Sequence, residues 1–280
     1  MATTMSDDAR AFWNDEVGPK WVQAQGHLDA MMAPISERLF ARLDAAAGQY
    51  GIDVGCGCGA TTVTLAEVVG ADGTALGVDV SAPMLEVAKA SAADLPQARF
   101  QLADAGSHAF EAGRADRILS RFGVMFFADT RAAFANLAQA LRPDGQLTFA
   151  CWQRAEDNPW ATFPVRAIAD LVGLPAPSDE DAPGPFRFAD CDTTGQMLRD
   201  AGFADVQVES FRPSLRLSGS VDALVDFFDT VGPLSRVLGG VDDTLRQRAL
   251  DQVRAAMAKI HDGDGVSFDA ATWIVSARRG

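Results

Sequence analysis

Cysteine is scarce in this chain: Cys56, Cys58, Cys151 and Cys191 are the four among 280 residues. A disulfide scaffold needs a far higher density, and a chain this long buries enough core to fold without one. The Cys56-x-Cys58 pair has no second pair of cysteines or histidines nearby, so no metal site is expected. Histidine is scarcer still, with His27, His108 and His261, which leaves few candidates for a general base. Basic runs are missing as well. The densest basic spot is Arg278-Arg279, against a formal net charge of -14 from 38 acidic and 24 basic residues. A surface that negative repels phosphate backbones and anionic headgroups, so neither nucleic acid nor a membrane is an expected partner. No stretch approaches the roughly 18 apolar residues that span a bilayer. The first eight residues hold neither the basic nor the apolar region of a secretory signal. A soluble, cytoplasmic protein acting on a small neutral, zwitterionic or cationic molecule is the expectation.

What is present is a regular alternation. From Gly51 to Trp152, short apolar runs alternate with amphipathic stretches, the pattern of a parallel sheet built from strand–helix units. Strands are expected at 50–54, 74–79, 99–103, 117–120 and 146–152, and helices over 60–69, after Ser81 and over 131–141. Ser81 and Thr130 are candidate helix caps. Arg142-Pro-Asp-Gly145 reads as a turn with glycine in the left-handed position. Beyond Trp152 the texture changes: Pro159, Pro164, Pro175, Pro177, Pro183 and Pro185 break residues 153–190 into a helix flanked by irregular chain. A helix over 193–201, a strand over 205–211, helices across 220–260 and a last strand over 271–277 complete the chain. Residues 1–47 read as helical. The fold class is α/β, a doubly wound sheet without internal repeats, and three extra helical pieces surround it.

The strongest chemical signal is Asp53-Val-Gly55-Cys-Gly57-Cys-Gly59. Glycines at alternate positions, directly after a strand and before a helix, let the backbone turn sharply and come close to a ligand. A side chain at Gly55 or Gly57 is expected to block that approach. Asp79 closes the second strand twenty residues after Gly59, where a carboxylate accepts hydrogen bonds from ribose hydroxyls. These features imply a ribose-bearing cofactor at the carboxyl edge of the sheet. Gly55-x-Gly57-x-x-Ala60 also satisfies a dinucleotide pattern. The Gly59 spacing, Asp53 at the strand end and Asp104 after the third strand weigh against that, since the dinucleotide pattern needs none of them.

Asp53-Val-Gly-Cys-Gly-Cys-Gly59, Gly77-Val-Asp79-Val-Ser81, Leu102-Ala-Asp104-Ala and Leu141-Arg-Pro-Asp-Gly145 together resemble the successive motifs of class I S-adenosylmethionine-dependent methyltransferases. The nearest flavour is similar to the ubiquinone/menaquinone C-methyltransferases and their small-molecule relatives. The resemblance covers residues 35–152 and extends more weakly to Leu198–Phe203 and the final strands. It implies a mostly parallel seven-stranded sheet with a reversed C-terminal hairpin. It also implies S-adenosyl-L-methionine as cofactor and methyl transfer by in-line displacement. Gly55, Cys56 and Gly57 would line the methionine end, beside Asp53. Asp79 would hold the ribose, Val80 and Met84 the adenine face, and Asp104 with Ala105 its edge. Ser120, Arg121, Phe122 and Met125 would border the methyl group and the acceptor. Gly51 departs from the pattern, since a larger apolar residue is usual inside that strand, and is expected to weaken the strand's packing while leaving the loop intact.

Outside the motifs, Trp21 is a candidate cation–π neighbour of the sulfonium. His27 is the candidate base, needed only for a hydroxyl acceptor. Three regions are expected: a helical lid over 1–34, the cofactor-binding core over 35–152, and cap insertions with the last helix and strands over 153–280. The acceptor is expected to be small and partly hydrophobic. An NAD(P)-dependent oxidoreductase, or a non-catalytic module binding the same adenosyl ligand, remain open alternatives at this stage.

Overall fold

The computed structural model describes residues 5–173 and 182–280. The chain opens with α1 (Asp7–Ala11), a π-helical segment (Phe12–Glu16) and the long helix α2 (Val17–Leu43). Next come β1 (Tyr50–Val54), α3 (Ala60–Val69), β2 (Thr74–Asp79), α4 (Ala82–Ser91), β3 (Ala98–Leu102) and β4 (Ala115–Arg121). A 3-10 turn (Val124–Phe126) leads to α5 (Thr130–Ala140) and β5 (Leu141–Trp152). Two short helices, α6 (Pro159–Arg166) and α7 (Ala169–Val172), precede α8 (Cys191–Asp200) and β6 (Phe203–Phe211). The last part holds β7 (Ser214–Ser218), α9 (Val221–Thr230), α10 (Pro233–Leu238), α11 (Asp243–Ala258), β8 (Gly265–Asp269) and β9 (Thr272–Arg279).

Seven strands form one sheet in the order β3-β2-β1-β4-β5-β9-β6. Pairs from β3 to β5 are parallel, whereas β9 runs antiparallel to both β5 and β6. This is the doubly wound sheet with a reversed hairpin implied above. Strand order reverses between β1 and β4, so the loops that leave their carboxyl ends diverge and open a crevice there. Helix α2 packs on α4 and α5 on α8; the reversal of strand order sets these pairs on opposite faces. Helix α2 buries Leu28, Met31, Met32, Ile35, Leu39 and Leu43, a stripe at helical spacing that faces the sheet. Asp44 ends it in the left-handed conformation, with φ 51°. Ile35 is fully buried, so truncating it to alanine costs about 2–5 kcal/mol. The helix runs unbroken across residues 34 and 35, where the sequence reading divided lid from core.

Three local expectations are corrected. Asp129, not Thr130, caps α5, its carboxylate accepting from Ala132 N at 3.0 Å. Thr130 is already helical and buried. In Arg142–Gly145 the left-handed residue is Asp144, with φ 62°. Gly145 serves close packing instead, because a Cβ there would stand 2.9 Å from Arg142 O and 3.0 Å from Ala115 O. Gly51 does not weaken β1: the side chain of Leu65 fills its place, 2.7 Å from where a Cβ would sit.

The two-stranded ladder β7–β8 was not anticipated. Its register, Ser214↔Asp269 to Ser218↔Gly265, continues that of β6–β9 from Gln207↔Ser276 to Phe211↔Thr272. One long hairpin therefore leaves the sheet and carries α9, α10 and α11 at its far end. Of these, α9 packs back on α2 and α10 on α6, while α11 packs on α9. Pro175 and Pro177 lie outside the described residues.

Candidate functional site

The site assembles at the crevice between β1 and β4. Gly55, Gly57 and Gly59 take φ of 69°, 54° and 89°, conformations that glycine adopts without the Cβ penalty. A Cβ on Gly55 would stand 2.7 Å from Gly123 Cα in the loop after β4, and one on Gly59 2.7 Å from Ala88 Cβ. A Cβ on Gly57 would find nothing nearer than Met84 Sδ at 3.8 Å. A side chain at Gly55 would strike the neighbouring loop. Gly57 alone of the three faces open space, and it forms the cradle.

Asp53 is fully buried. One of its oxygens accepts from the hydroxyls of Thr61 and Thr62, both at 2.7 Å. The other, Oδ1, has no partner. Burial pushes its carboxyl up to about 6, against the opposing pull of the two threonines and of Arg121. An unpaired buried carboxylate oxygen costs stability unless a ligand completes it. Asp79 is also buried; Gly57 N donates to one oxygen at 2.8 Å and Ser81 N to the other at 2.9 Å. Burial raises its carboxyl as well, and those backbone donors oppose the shift. The pair Asp79 and Gly57 thus ties the end of β2 to the glycine loop.

Asp104 is half-buried; Gly106 N and Ser107 Oγ donate to it, as does Met5 N at 3.1 Å. A cavity of about 340 Å³ lies between Val80, Leu102, Ala103 and Asp104 on one side and Asp7, Arg10 and Asn14 on the other. A larger hollow of about 610 Å³ lies between α8 and β6, lined by Cys191, Gln196 and Val208 among others. It contains none of the residues of the glycine loop, so its size does not make it the site.

The other candidates divide. Ser120 is saturated: its hydroxyl donates to Val54 O at 2.7 Å and accepts from Gly123 N and Val124 N. It holds the turn and has no lone pair left for a ligand. Arg121 donates to Asp29 Oδ1 at 2.7 Å and to Ser36 Oγ at 2.9 Å, which fastens α2 over the end of β4. Phe122 takes φ 69°, a conformation that is an outlier for a bulky residue. Its ring stacks on Trp152 at 4.2 Å and 8°, and Trp152 meets Trp160 at 4.7 Å. Met125 is fully buried. Trp21 lies edge-on to Trp13 at 6.3 Å, and Trp13 to Phe126 at 5.1 Å. His27 is exposed on α2, its ring 6.0 Å from that of Phe227 on α9.

Burial pushes the Cys58 thiol up to about 11 and the Cys56 thiol well above the usual range. Both stay protonated near neutral pH, which suits small residues in a tight loop and not nucleophiles. Among the described residues no cluster of three His, Cys, Asp or Glu could hold a metal ion. The sequence reading missed Thr61, Thr62, Asp29, Asn14 and Gly123. None of these belongs to a motif, and each is identified only by what the fold brings beside it.

The residues fit an adenosyl amino-acid ligand. Gly57 offers an open cradle, Asp53 an unpaired buried acceptor suited to an ammonium group, and Asp104 a carboxylate beside a cavity. Comparison with known proteins agrees. Residues 52–145 match the family described as "Methyltransferase domain". The chain is 32% identical over 203 residues to nocamycin O-methyltransferase of Saccharothrix syringae, covering 69% of this chain and 72% of that protein. It is 32% identical over 181 residues to the O-methyltransferase cnsE of Penicillium expansum, covering 63% of this chain and 60% of that protein. A demethylmenaquinone methyltransferase of Staphylococcus saprophyticus is 26% identical over 189 residues, 62% of this chain and 78% of that one. Among solved structures, the YcgJ protein of Bacillus subtilis superposes with TM-score 0.58 at 19% identity, covering 88% of this chain and 98% of that one. At that identity the likeness is one of fold. The kinship and the site do not favour the oxidoreductase and non-catalytic readings: this chain belongs to the class I S-adenosylmethionine-dependent methyltransferases, enzymes that use S-adenosyl-L-methionine as cofactor.

Proposed function

We propose that this enzyme methylates a hydroxyl oxygen of a small, largely apolar molecule held beneath the cap. The observation that carries this reading is the aromatic wall Phe122–Trp152–Trp160 at the carboxyl ends of β4 and β5, with hairpin-borne α10 packed on α6, the helix that carries Trp160. A flat, apolar acceptor suits such a wall. The oxygen is favoured because the relatives at 32% identity are named O-methyltransferases.

The bound cofactor supplies an electrophilic sulfonium methyl group, and the protein's part is to align partners and exclude water. In this reading Asp79 receives the ribose hydroxyls, Val80 and Met84 flank the adenine, and Asp104 with Ala105 meets its edge. Gly55, Cys56 and Gly57 line the methionine end through their backbone, and the unpaired oxygen of Asp53 faces its ammonium. Arg121 holds α2 over that end, and Trp21 stands among the aromatic rings near it. Phe122 and Met125 shape the acceptor side. His27, at the seam of α2 and α9, is the candidate to take the hydroxyl proton.

The lid over 1–34 and, within 153–280, the cap insertions beside the last helix and strands of the sheet belong to the same proposal. So does a cytoplasmic setting with no nucleic acid or membrane partner; no helix among the described residues is long and apolar enough to cross a membrane. The test is release of S-adenosylhomocysteine with a panel of phenols, enols and matched amines, for wild type, Trp160→Ala and His27→Ala. Turnover confined to hydroxyl acceptors, with acceptor KM raised in Trp160→Ala, supports the reading. Turnover confined to amines, or His27→Ala at full rate, would sink the oxygen assignment or the base respectively.

A further inference from the structure

The segment before α2 is held by its own set of contacts to the turn that carries Asp79. Asn14 donates to Val80 O at 3.0 Å and to Arg10 O at 2.8 Å, while its Oδ1 accepts from Ala82 N at 2.9 Å. One side chain thus ties together the backbone on both sides of Ser81. Ser81 Oγ in turn donates to Trp13 O at 2.8 Å. Trp13 belongs to the π-helical segment, where the backbone pattern departs from the ordinary ladder; such segments recur at functional sites.

Gly18 makes the approach possible. A Cβ there would stand 2.2 Å from Trp13 O and 2.6 Å from Ser81 Oγ, so only glycine lets the start of α2 lie against this turn. The turn itself sets the ribose-facing carboxylate, since Ser81 N donates to Asp79 Oδ1. Asp7, Arg10, Ala11 and Asn14 of the same segment wall the cavity beside Val80 and Asp104.

We infer that Asn14 is a positioning residue: it docks the N-terminal segment on the 79–82 turn, orients Asp79 through that turn, and closes the adenosine half of the site, so that cofactor exchange requires this clamp to open. The inference rests on the adenosyl ligand occupying this site. Ligand release is then limited by breaking this small polar interface, and the Phe122–Trp152–Trp160 wall takes no part in it.

The experiment is stopped-flow tryptophan fluorescence of S-adenosylhomocysteine association and dissociation, for wild type, Asn14→Ala, Gly18→Ala and the double variant. Calorimetric binding of the same ligand sets the equilibrium constant, and melting of the ligand-free proteins checks the fold. Both single variants are expected to release ligand about tenfold faster or more, with acceptor KM unchanged. The double variant is expected to do no more than either alone, because both open one interface. Wild-type binding with dissociation unchanged in both variants overturns the inference and leaves the cofactor site standing. Faster release matched by an equal rise in acceptor KM also overturns it, since that marks general loosening of the site. No binding by the wild-type chain overturns the adenosyl site and this inference with it.

Discussion

Replacing Asp53 with asparagine removes a buried carboxyl whose titration is pushed up to about 6 from an ordinary value of 3.8. The sign follows from proton counts. Between those two values the unfolded chain has lost this proton and the folded chain keeps it, so folding stability falls as pH rises through the window. Below about pH 4 the group adds no pH dependence, and above about pH 6 the full cost is present. A rise of about two units, at about 1.4 kcal/mol each, puts that cost near 3 kcal/mol. Asparagine at the site keeps an acceptor for Thr61 and Thr62 and does not titrate. Its stability relative to wild type is therefore expected to improve by about 3 kcal/mol between pH 4 and pH 7. Any fixed offset from an unpaired amide N–H is the same at both ends. The assay is urea unfolding of both proteins at half-unit pH intervals, read as the difference in free energy. A difference that stays flat across the window, or that moves the other way, refutes the argument. The same group predicts the ligand's behaviour: an ammonium against Oδ1 favours the ionised carboxylate, so cofactor binding below pH 6 releases a proton. Calorimetry in buffers of different ionisation enthalpy reads that release directly.

The two inner glycines separate packing from binding. Gly57→Ala, with open space around its Cβ, is expected to cost about 1 kcal/mol through its positive φ and to abolish S-adenosylhomocysteine binding. Gly55→Ala, aimed at Gly123 Cα, is expected to lower the melting temperature more, and equal effects in calorimetry and melting would contradict the distinction. Buried Cys56 and half-buried Cys58, whose thiol burial pushes up to about 11, are expected to resist a thiol reagent at pH 7.5, leaving half-exposed Cys191 to react. Rapid labelling that persists in Cys191→Ser would show that burial does not protect the loop thiols. Asn158 is fully buried, donates to Arg154 O and Ala271 O, and accepts from Ala271 N and Trp160 Nε1. Asn158→Ala strands two donors and is expected to cost about 2–5 kcal/mol in urea unfolding. A loss below about 1 kcal/mol would mean that water replaces those bonds.

Much of the core was legible because its signals are local. The alternation from Tyr50 to Trp152, the glycine loop and the carboxylates Asp79 and Asp104 each lie within a few residues of a strand end, and strand ends are what periodicity reveals. The antiparallel β9 was readable as a strand, and its reversal came from resemblance to a family. Strands β7 and β8 went unread although Leu215 and Leu217 alternate with polar neighbours and are buried, because five residues between a proline turn and a helix give too short a pattern. The aromatic wall was hidden for another reason. Phe122, Trp152 and Trp160 come from three elements, and nothing in their spacing shows that the rings stack. Asp53 was marked for its position only; its unpaired oxygen depends on where Thr61 and Thr62 point. The same holds for Asn14, an ordinary helix-surface residue until Val80 and Ala82 are set beside it.

The hairpin that continues in one register from β6–β9 into β7–β8 also bears on how such a chain acquires new acceptors. Its two arms flank the 46 residues 219–264, and closing a loop of that length instead of a tight turn costs only about 2 kcal/mol, because the entropy grows with the logarithm of length. Chain material can therefore be lengthened, shortened or exchanged beyond Ser218 and Gly265 while the ladder below keeps its partners. On the proposed reading of these helices as a cap, descent can vary the roof of the pocket by insertion at one point, and the adenosyl half, built from distant segments of the chain, inherits none of the change. A graft that closes the hairpin at that point should leave a cofactor-binding domain with an open acceptor face, a blank on which another roof can be set.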